Sequence, residues 1–311
     1  MKVMFGVGRV KPALTNTVAA IGIFDGVHTG HQALIRRMVR TARRKNMKSL
    51  VITFHPHPVE VLQKKEVNYL VSFDGRVKLL ESLGVDLLLV IKFTKQFSRL
   101  KPEEFVKKYL VASLGVKEVF VGDDFRFGEN RTGDVELFGS MGQRYGFVVR
   151  HIDPVKKTKN KISSSWLRQL IIQGKLREAA AMLGRNVSVA GDVIKGRGLG
   201  KKFGFPTANI NVTSGILPSN GVYFVRACLA GRSLSGVCNI GSRPTVSSAP
   251  GKVSLEVHIL NFNEKIYKKE LTIEFLHRVR NEKKFSSVDL LVSQIRADVR
   301  RAYQYFQISP K

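Results

Sequence analysis

Between residues 17 and 152, short apolar runs alternate with amphipathic stretches of helical spacing, and that rhythm leaves a chain few ways to bury itself. Residues 17–24 form an apolar run ending in a glycine-containing turn, 32–45 carry an apolar stripe at helical spacing, and 49–54 are the next apolar run. Such a unit makes two parallel strands joined by a crossover helix. The pattern continues with helices expected over 73–83, 102–114 and 135–145 and strands over 87–91, 118–121 and 147–152. Alternation of this kind implies one parallel sheet covered on both faces. Helices expected over 163–173 and 176–183 each run into a glycine, Gly174 and Gly184, that accepts the left-handed conformation closing a helix. The first domain is therefore drawn as residues 1–184.

From Val187 the texture changes to short strands punctuated by Gly, Asn, Ser and Pro, with runs over 222–227, 234–240, 254–260 and 271–279. Strands so closely spaced suggest a closed barrel or a sandwich. The chain ends in one long helix, for which Ser286 is the expected cap, with Asp289 three residues later. Val288, Leu291, Ile295, Val299, Ala302 and Phe306 would form its apolar stripe. The fold class is thus α/β plus β, with a second domain over residues 185–311.

Charge narrows the partners. Fifty-two basic against 24 acidic residues leave a formal charge of +28, which favours polyanions. The excess runs from Lys2 to Lys311 without a basic tail. Its densest cluster, Arg36, Arg37, Arg40, Arg43, Arg44, Lys45 and Lys48, alternates with Leu34, Ile35, Met38 and Ala42, as a solvated helix face would. Cys228 and Cys238 are the two cysteines, too few for a disulfide framework or a thiolate metal cage, and a reducing, cytoplasmic compartment fits them. The residues before Arg9, Lys11 and Pro12 are too few for a signal-peptide core, and Asp86 interrupts the run around 87–91, so no membrane association is expected.

The sharpest motif, Gly22-Ile23-Phe24-Asp25-Gly26-Val27-His28-Thr29-Gly30-His31, falls where the first strand turns into the first helix. A helix amino terminus exposes unpaired N–H groups and partial positive charge, glycine permits close approach, and two imidazoles three residues apart can both face a phosphate. An anion site built on Gly22, Phe24, Asp25, His28, Gly30 and His31 is the chemical reading; incidental histidines in a turn are the plain one. A zinc site is a third, because His55 and His57 follow the next strand.

With its neighbours, this turn resembles the nucleotidyltransferases, and specifically the bacterial bifunctional riboflavin kinase/FAD synthetases. The resemblance continues through Thr53-Phe54-His55-Pro56-His57-Pro58, Gly122-Asp123-Asp124-Phe125-Arg126-Phe127-Gly128 and Ile162-Ser163-Ser164-Ser165-Trp166-Leu167-Arg168. It implies a Rossmann-like domain that transfers the adenylyl group of ATP to FMN, giving FAD and pyrophosphate. By position, His28 and His31 would contact ATP phosphates, Ser164 and Arg168 would support them, and His57, Asp124, Phe125, Arg126 and Phe127 would lie near the flavin. The phosphate of FMN is the nucleophile in such a reaction, so aligning two polyanions and neutralising charge is the whole task. Plainer roles stand beside these: Arg168 as a surface residue, Ser163 as a helix cap, and Phe125 and Phe127 as core.

In the second half, Gly191-Asp192-Val193-Ile194-Lys195-Gly196-Arg197-Gly198-Leu199-Gly200 leads through Lys202 to Gly204-Phe205-Pro206-Thr207-Ala208-Asn209. A basic, glycine-rich loop can wrap phosphates, here with Gly191, Gly196, Gly200 and Lys202, although it lacks the Walker order and a flexible turn would look similar. Pro-Thr-Ala-Asn resembles the riboflavin kinase signature, which implies that Thr207 and Asn209 hold Mg²⁺ and ATP phosphate. Gly221-Val222-Tyr223, Asn239-Ile240-Gly241-Ser242-Arg243-Pro244-Thr245 and Leu255-Glu256-Val257-His258 extend the resemblance. It makes Glu256 the base for the riboflavin 5′-hydroxyl and places Arg280 and Phe285 beside the flavin. By itself Glu256 reads as a solvent-facing strand residue, and Arg280 and Phe285 as a surface charge and a helix-entry contact.

Tyr267-Lys268-Lys269 stands where that family commonly has Tyr-Gly-Lys, and Ser165 where Thr is common. The implied ligands are riboflavin, FMN, FAD and ATP with Mg²⁺, and no tightly bound organic cofactor. Oligomeric state is open. Competing readings are a nucleotidyltransferase with another phosphorylated acceptor and a basic nucleic-acid-binding protein, the latter without an aromatic-basic stacking pattern.

Overall fold

The structure is a computed structural model that describes residues 1–9, 14–152, 162–196, 198–242 and 253–310. Lys11, Pro12, Arg197, Arg243, Pro244, Thr245 and Lys311 lie outside the described residues. Two compact units emerge, Met1–Asn68 with Ser72–Ser164, and Tyr69–Val71 with Ser165–Lys311.

The first unit is built on β1 (Lys2–Phe5), β2 (Thr17–Ile21), β3 (Lys48–His55), β4 (Leu87–Lys92), β5 (Val116–Gly122) and β6 (Val148–Ile152), all parallel, in the order β1-β4-β3-β2-β5-β6. Its helices are α1 (Thr29–Arg44), α2 (Pro58–Gln63), α3 (Phe73–Ser82), α4 (Lys95–Ser98), α5 (Pro102–Phe105) and α6 (Val135–Tyr145). The sequence rhythm anticipates the sheet but misses β1, whose four residues are too short to show a period. The helix expected over 102–114 continues from α5 as a π-helix, Val106–Ser113. All of β2 is buried, and its residues alternate between two cores. Val18 and Ala20 join Leu34, Ile35 and Met38 of α1, while Ala19 and Ile21 join Phe105, Val106 and Phe138 on the other face. Each of the larger apolar side chains taken from water contributes roughly 1.5–3 kcal/mol. The expected solvated face of α1 is present: Arg36, Arg37, Arg40, Arg43 and Arg44 are exposed.

This strand order positions the site. From β2 the chain moves to β3 and β4 on one side, whereas β5 lies on the other, so the order reverses beside β2. A crevice opens outside the carboxyl ends of strands at such a point. Gly22–His31 follows β2, His55–His57 begins at the last residue of β3, and Gly122–Gly128 begins at the last residue of β5, so three sequence motifs share one sheet edge.

The second unit contains α7 (Ser164–Ile172, its first residue counted with the first unit) and α8 (Leu176–Leu183), closed by Gly184 at φ 69°. There follow β7 (Val187–Ile194), α9 (Leu199–Lys202), β8 (Ala208–Ser214), β9 (Gly221–Leu229), β10 (Arg232–Ser242), β11 (Val253–Ile259), β12 (Glu270–Arg280) and α10 (Val288–Phe306). The strands close into an antiparallel barrel, β10-β11-β8-β7-β12-β9. Val222, Phe224, Val237 and Leu260 pack with Val299 and Ala302 of α10. The cap of α10 is Ser287, whose Oγ accepts from Leu290 N at 3.3 Å, and not Ser286. Val288, expected in the apolar stripe, is 55% exposed; burial begins deeper in the helix.

Candidate functional sites

The turn after β2 is held in a conformation that its side chains do not favour. Phe24 at φ 52° and Val27 at φ 41° are left-handed, and such a backbone is costly for a β-branched residue. The Phe24 ring is buried beneath Gly22, where a Cβ would lie 3.0 Å from it. His28 caps α1, its Nδ1 accepting from His31 N at 3.3 Å, and the two imidazoles stack with centroids 3.6 Å apart. A Cβ on Gly30 would come 3.2 Å from the His28 ring. Asp25 is buried, and its carbonyl accepts from Ser164 Oγ at 3.1 Å. The structure thus brings together Gly22, Phe24, Asp25, His28, Gly30, His31 and Ser164. Arg168 is half-buried on α7, within the second unit.

Burial, and then the neighbouring His28, hold His31 well below the ordinary histidine pKa. Buried His31 Nδ1 and Thr29 Oγ1 have no hydrogen-bond partner among the described residues. These two orphans lie in the first turn of a 16-residue helix, whose amino terminus favours an anion. Triphosphate oxygens are a chemically fitting occupant. Thr29 escapes sequence reasoning because a threonine there is also an ordinary helix-start residue. Thr53, Arg76 and Gln32 escape it too: Thr53 Oγ1 and Arg76 donate to the Ile23 carbonyl at 3.1 and 2.7 Å, and Gln32 donates to that of Val27 at 2.9 Å. No sequence pattern flags a partner 53 residues away.

The flavin-side candidates have mixed placements. His57 caps α2, its Nδ1 accepting from Val59 N while Glu60 accepts from His57 N. Asp124 and Arg126 are exposed beyond β5, with Arg126 3.4 Å from Asp134. Phe127 is buried among Phe105, Phe125 and Phe138, and Phe125 stacks on it half-buried. The zinc alternative does not assemble: among the described residues no three His, Cys, Asp or Glu side chains form a metal-holding group.

On the barrel, register sets the second site. Glu256 of β11 lies opposite Asn209 of β8 on one side and Asn239 of β10 on the other, and directly paired residues share a sheet face. Leu255 and Val257 point inward and are buried, so the row Asn239, Glu256, Asn209 lies on the barrel's outer face, where Asn239 is exposed, Glu256 half-buried and Asn209 buried. A Cβ on Gly196 would fall 2.2 Å from Asn209 Nδ2, and one on Gly200 2.4 Å from the Phe205 carbonyl and 3.0 Å from Thr207 Oγ1. The glycine-rich loop therefore lies against Thr207 and Asn209. Lys202 is exposed at the end of α9. Gly191 falls inside β7, where a Cβ would strike the Asn211 carbonyl at 2.2 Å, so strand pairing accounts for that glycine.

Missed by the sequence reading, His258 Nδ1–H donates to the Pro206 carbonyl at 2.8 Å; burial lowers its pKa against that bond. Arg280 forms a two-pronged pair with buried Asp298 of α10 at 2.9 and 2.7 Å, with its guanidinium 6.0 Å from the Phe285 ring. Both cysteines are free, and burial followed by the nearby Glu256 charge pushes the Cys238 thiol well up.

A family model described as FAD synthetase matches residues 10–166, and one described as riboflavin kinase matches residues 183–306. The bifunctional riboflavin kinase/FMN adenylyltransferase of Buchnera aphidicola subsp. Schizaphis graminum is 37% identical over 311 residues, 99% of this chain and 100% of that protein. The protein of the same name from Escherichia coli K12 is 35% identical over 312 residues, 99% of each. Among solved structures, one from Streptococcus pneumoniae described as a macrolide-efflux protein superposes with TM-score 0.87 at 28% identity, over 96% of this chain and 98% of that one.

Proposed function

This chain belongs to the family of bifunctional riboflavin kinase/FMN adenylyltransferases, and from that premise we propose that its barrel phosphorylates riboflavin to FMN and its parallel-sheet unit adenylylates FMN to FAD. The observation that carries the adenylyl transfer is the turn after β2, with buried Thr29 Oγ1 and His31 Nδ1 at the head of α1. ATP phosphates would lie on Gly22, Phe24, Asp25, His28, Gly30 and His31, supported by Ser164. His57, Asp124, Phe125, Arg126 and Phe127 would border the flavin, with Phe127 acting through its packing against Phe125. A phosphate oxygen of FMN attacks the α-phosphorus of ATP, pyrophosphate leaves, and the turn neutralises the charge that builds on it.

In the barrel, Glu256 takes the proton of the riboflavin 5′-hydroxyl as that oxygen attacks the γ-phosphorus of ATP, releasing ADP. Gly196, Gly200 and Lys202 would hold the ATP phosphates, and Arg280 and Phe285 would flank the flavin. The Thr207 hydroxyl and the Asn209 amide oxygen are hard donors of the kind that Mg²⁺ accepts, shared with substrate phosphates. Bound there, the ion would offset charge on the transferring phosphoryl group. The border between the activities is drawn at Gly184. The efflux description belongs to the Streptococcus protein; no helix among the described residues here is long and apolar enough to cross a membrane. Chromatography after incubating the protein with riboflavin, ATP and Mg²⁺ tests the reading: FMN, FAD, ADP and pyrophosphate are expected, and recovery of unchanged riboflavin would reject it.

A further inference from the structure

Three alternate carbonyls of the turn after β2 are each taken by side chains from elsewhere in the chain or from the following helix. The Ile23 carbonyl accepts from Thr53 Oγ1 of β3 at 3.1 Å and from Arg76 of α3 at 2.7 Å. Two residues on, the Asp25 carbonyl accepts from Ser164 Oγ at 3.1 Å, and two further on the Val27 carbonyl accepts from Gln32 Nε2 of α1 at 2.9 Å. The left-handed residue Phe24 lies between the first two anchors, and Val27, also left-handed, carries the third. Carbonyl oxygens carry partial negative charge and repel phosphate, whereas the N–H groups at the head of α1 attract it. A turn free to relax would move Phe24 and Val27 out of their unfavourable conformations and turn those oxygens with them.

We propose that Thr53, Arg76 and Gln32 are positioning residues for adenylyl transfer, which clamp the carbonyls of Ile23 and Val27 so that the turn stays arranged for a triphosphate. Arg76 is the main member. The residue is buried, at 3% exposure, so it adds fixed positive charge beside the turn as well as a hydrogen bond. Arg76 and Thr53 converge on one oxygen from two different elements, which fixes the exit of β2 in two directions. The role acts through the backbone, so the clamp governs the rate of the chemical step more than the strength of flavin binding. This inference rests on the proposed adenylyl transfer in the first unit.

The test uses the full chain with Thr53→Val, Gln32→Leu, Arg76→Met and Arg76→Lys. Supplied FMN and ATP give kcat and KM for FAD formation, riboflavin phosphorylation is the internal control, and thermal melting reports folding. Thr53→Val is expected to lower kcat for FAD formation about tenfold and Arg76→Met about a hundredfold, with KM for FMN nearly unchanged. Arg76→Lys should recover part of the loss, because an ammonium can still donate to the Ile23 carbonyl. Riboflavin phosphorylation should not change. If Arg76→Met melts early, Thr53→Val, which keeps the side-chain volume, decides the matter. Folded variants with kcat within twofold of the parent would overturn the clamp, as would a loss that only follows the unfolded fraction. A parent chain that forms FMN but no FAD would instead overturn the adenylyl-transfer reading on which the clamp depends.

Discussion

The imidazoles of His28 and His31 lie 19° from parallel with centroids 3.6 Å apart, and His28 Nδ1 receives the His31 backbone N–H. One ring is therefore spent on closing the helix, and the other is left with a buried nitrogen that lacks a partner among the described residues. Replacing both by alanine removes the cap and the orphaned nitrogen together. His28→Ala with His31→Ala should reduce FAD formation by at least about a hundredfold, while FMN still accumulates from riboflavin. Product chromatography measures both; equal loss of the two activities in folded protein would contradict separate sites.

Burial and the His28 neighbour keep His31 neutral at a pH where a free histidine is partly charged. A triphosphate at the head of α1 reverses that preference, since negative charge favours the protonated ring. Binding of ATP to the first unit is thus expected to be accompanied by proton uptake on the acid side of neutral. Calorimetry in two buffers of different ionisation enthalpy reads the uptake directly, and the double alanine variant should abolish it. In the absence of ligand the sign is opposite for stability: a depressed histidine stabilises the fold above its unfolded value of about 6.5, and that contribution is lost as pH falls below it.

How much of this was legible depends on the range of the interaction. Alternation along 17–152 sufficed for the parallel sheet, because burying both faces demands a repeating pattern, as Val18 and Ala20 against Ala19 and Ile21 show. The Gly22–His31 turn was legible for the same local reason, since strand, turn and helix are contiguous. Thr53, Arg76 and Asp298 were not, because each earns its place through a partner far away in sequence and the residue type alone does not say so. The Ser286 cap failed by one position: Ser287 carries the same hydroxyl, and only the backbone path distinguishes them.

The glycine-rich loop of the barrel owes its closeness to Thr207 and Asn209 to absent side chains. Gly196→Ala would put a Cβ 2.2 Å from Asn209 Nδ2, so either the amide or the loop must move. Riboflavin phosphorylation should fall by about tenfold or more, because small displacements in a phosphoryl-transfer site are expensive. Glu256→Gln should be more severe, since it removes the proposed base while keeping the outward row with Asn209 and Asn239. Assays with FMN supplied separate the effects: FAD formation should survive both changes, and its loss would show that the row serves both reactions.

Arg280 offers a test of position against contact. Its guanidinium is bound by Asp298 on α10, which in turn accepts from Gln294 at 3.0 Å. Asp298→Ala leaves a largely buried cation without its carboxylate, a loss of about 3–5 kcal/mol in the second unit. Urea unfolding followed on that unit should show it, together with a raised KM for riboflavin where Arg280 has lost its orientation. A destabilised variant with normal KM would separate Arg280 from the flavin.

Acid should weaken the first unit through Glu118, on β5. Burial alone would raise this carboxyl, yet the hydrogen bonds and charges of Lys45 and Arg150 outweigh that penalty and hold it below its ordinary value. A carboxyl depressed on folding contributes its stability above the unfolded value of about 4.3 and loses it as pH falls through that value toward the folded one. Glu118→Gln is expected to cost about 1–3 kcal/mol at pH 7, less than a fully buried ion would, because Lys45 and Arg150 reach solvent. The variant should also lose less stability than the parent between pH 5 and pH 3, on the order of the same 1–3 kcal/mol. Urea unfolding at these pH values checks both parts, and parallel pH curves for parent and variant would remove Glu118 from the acid response.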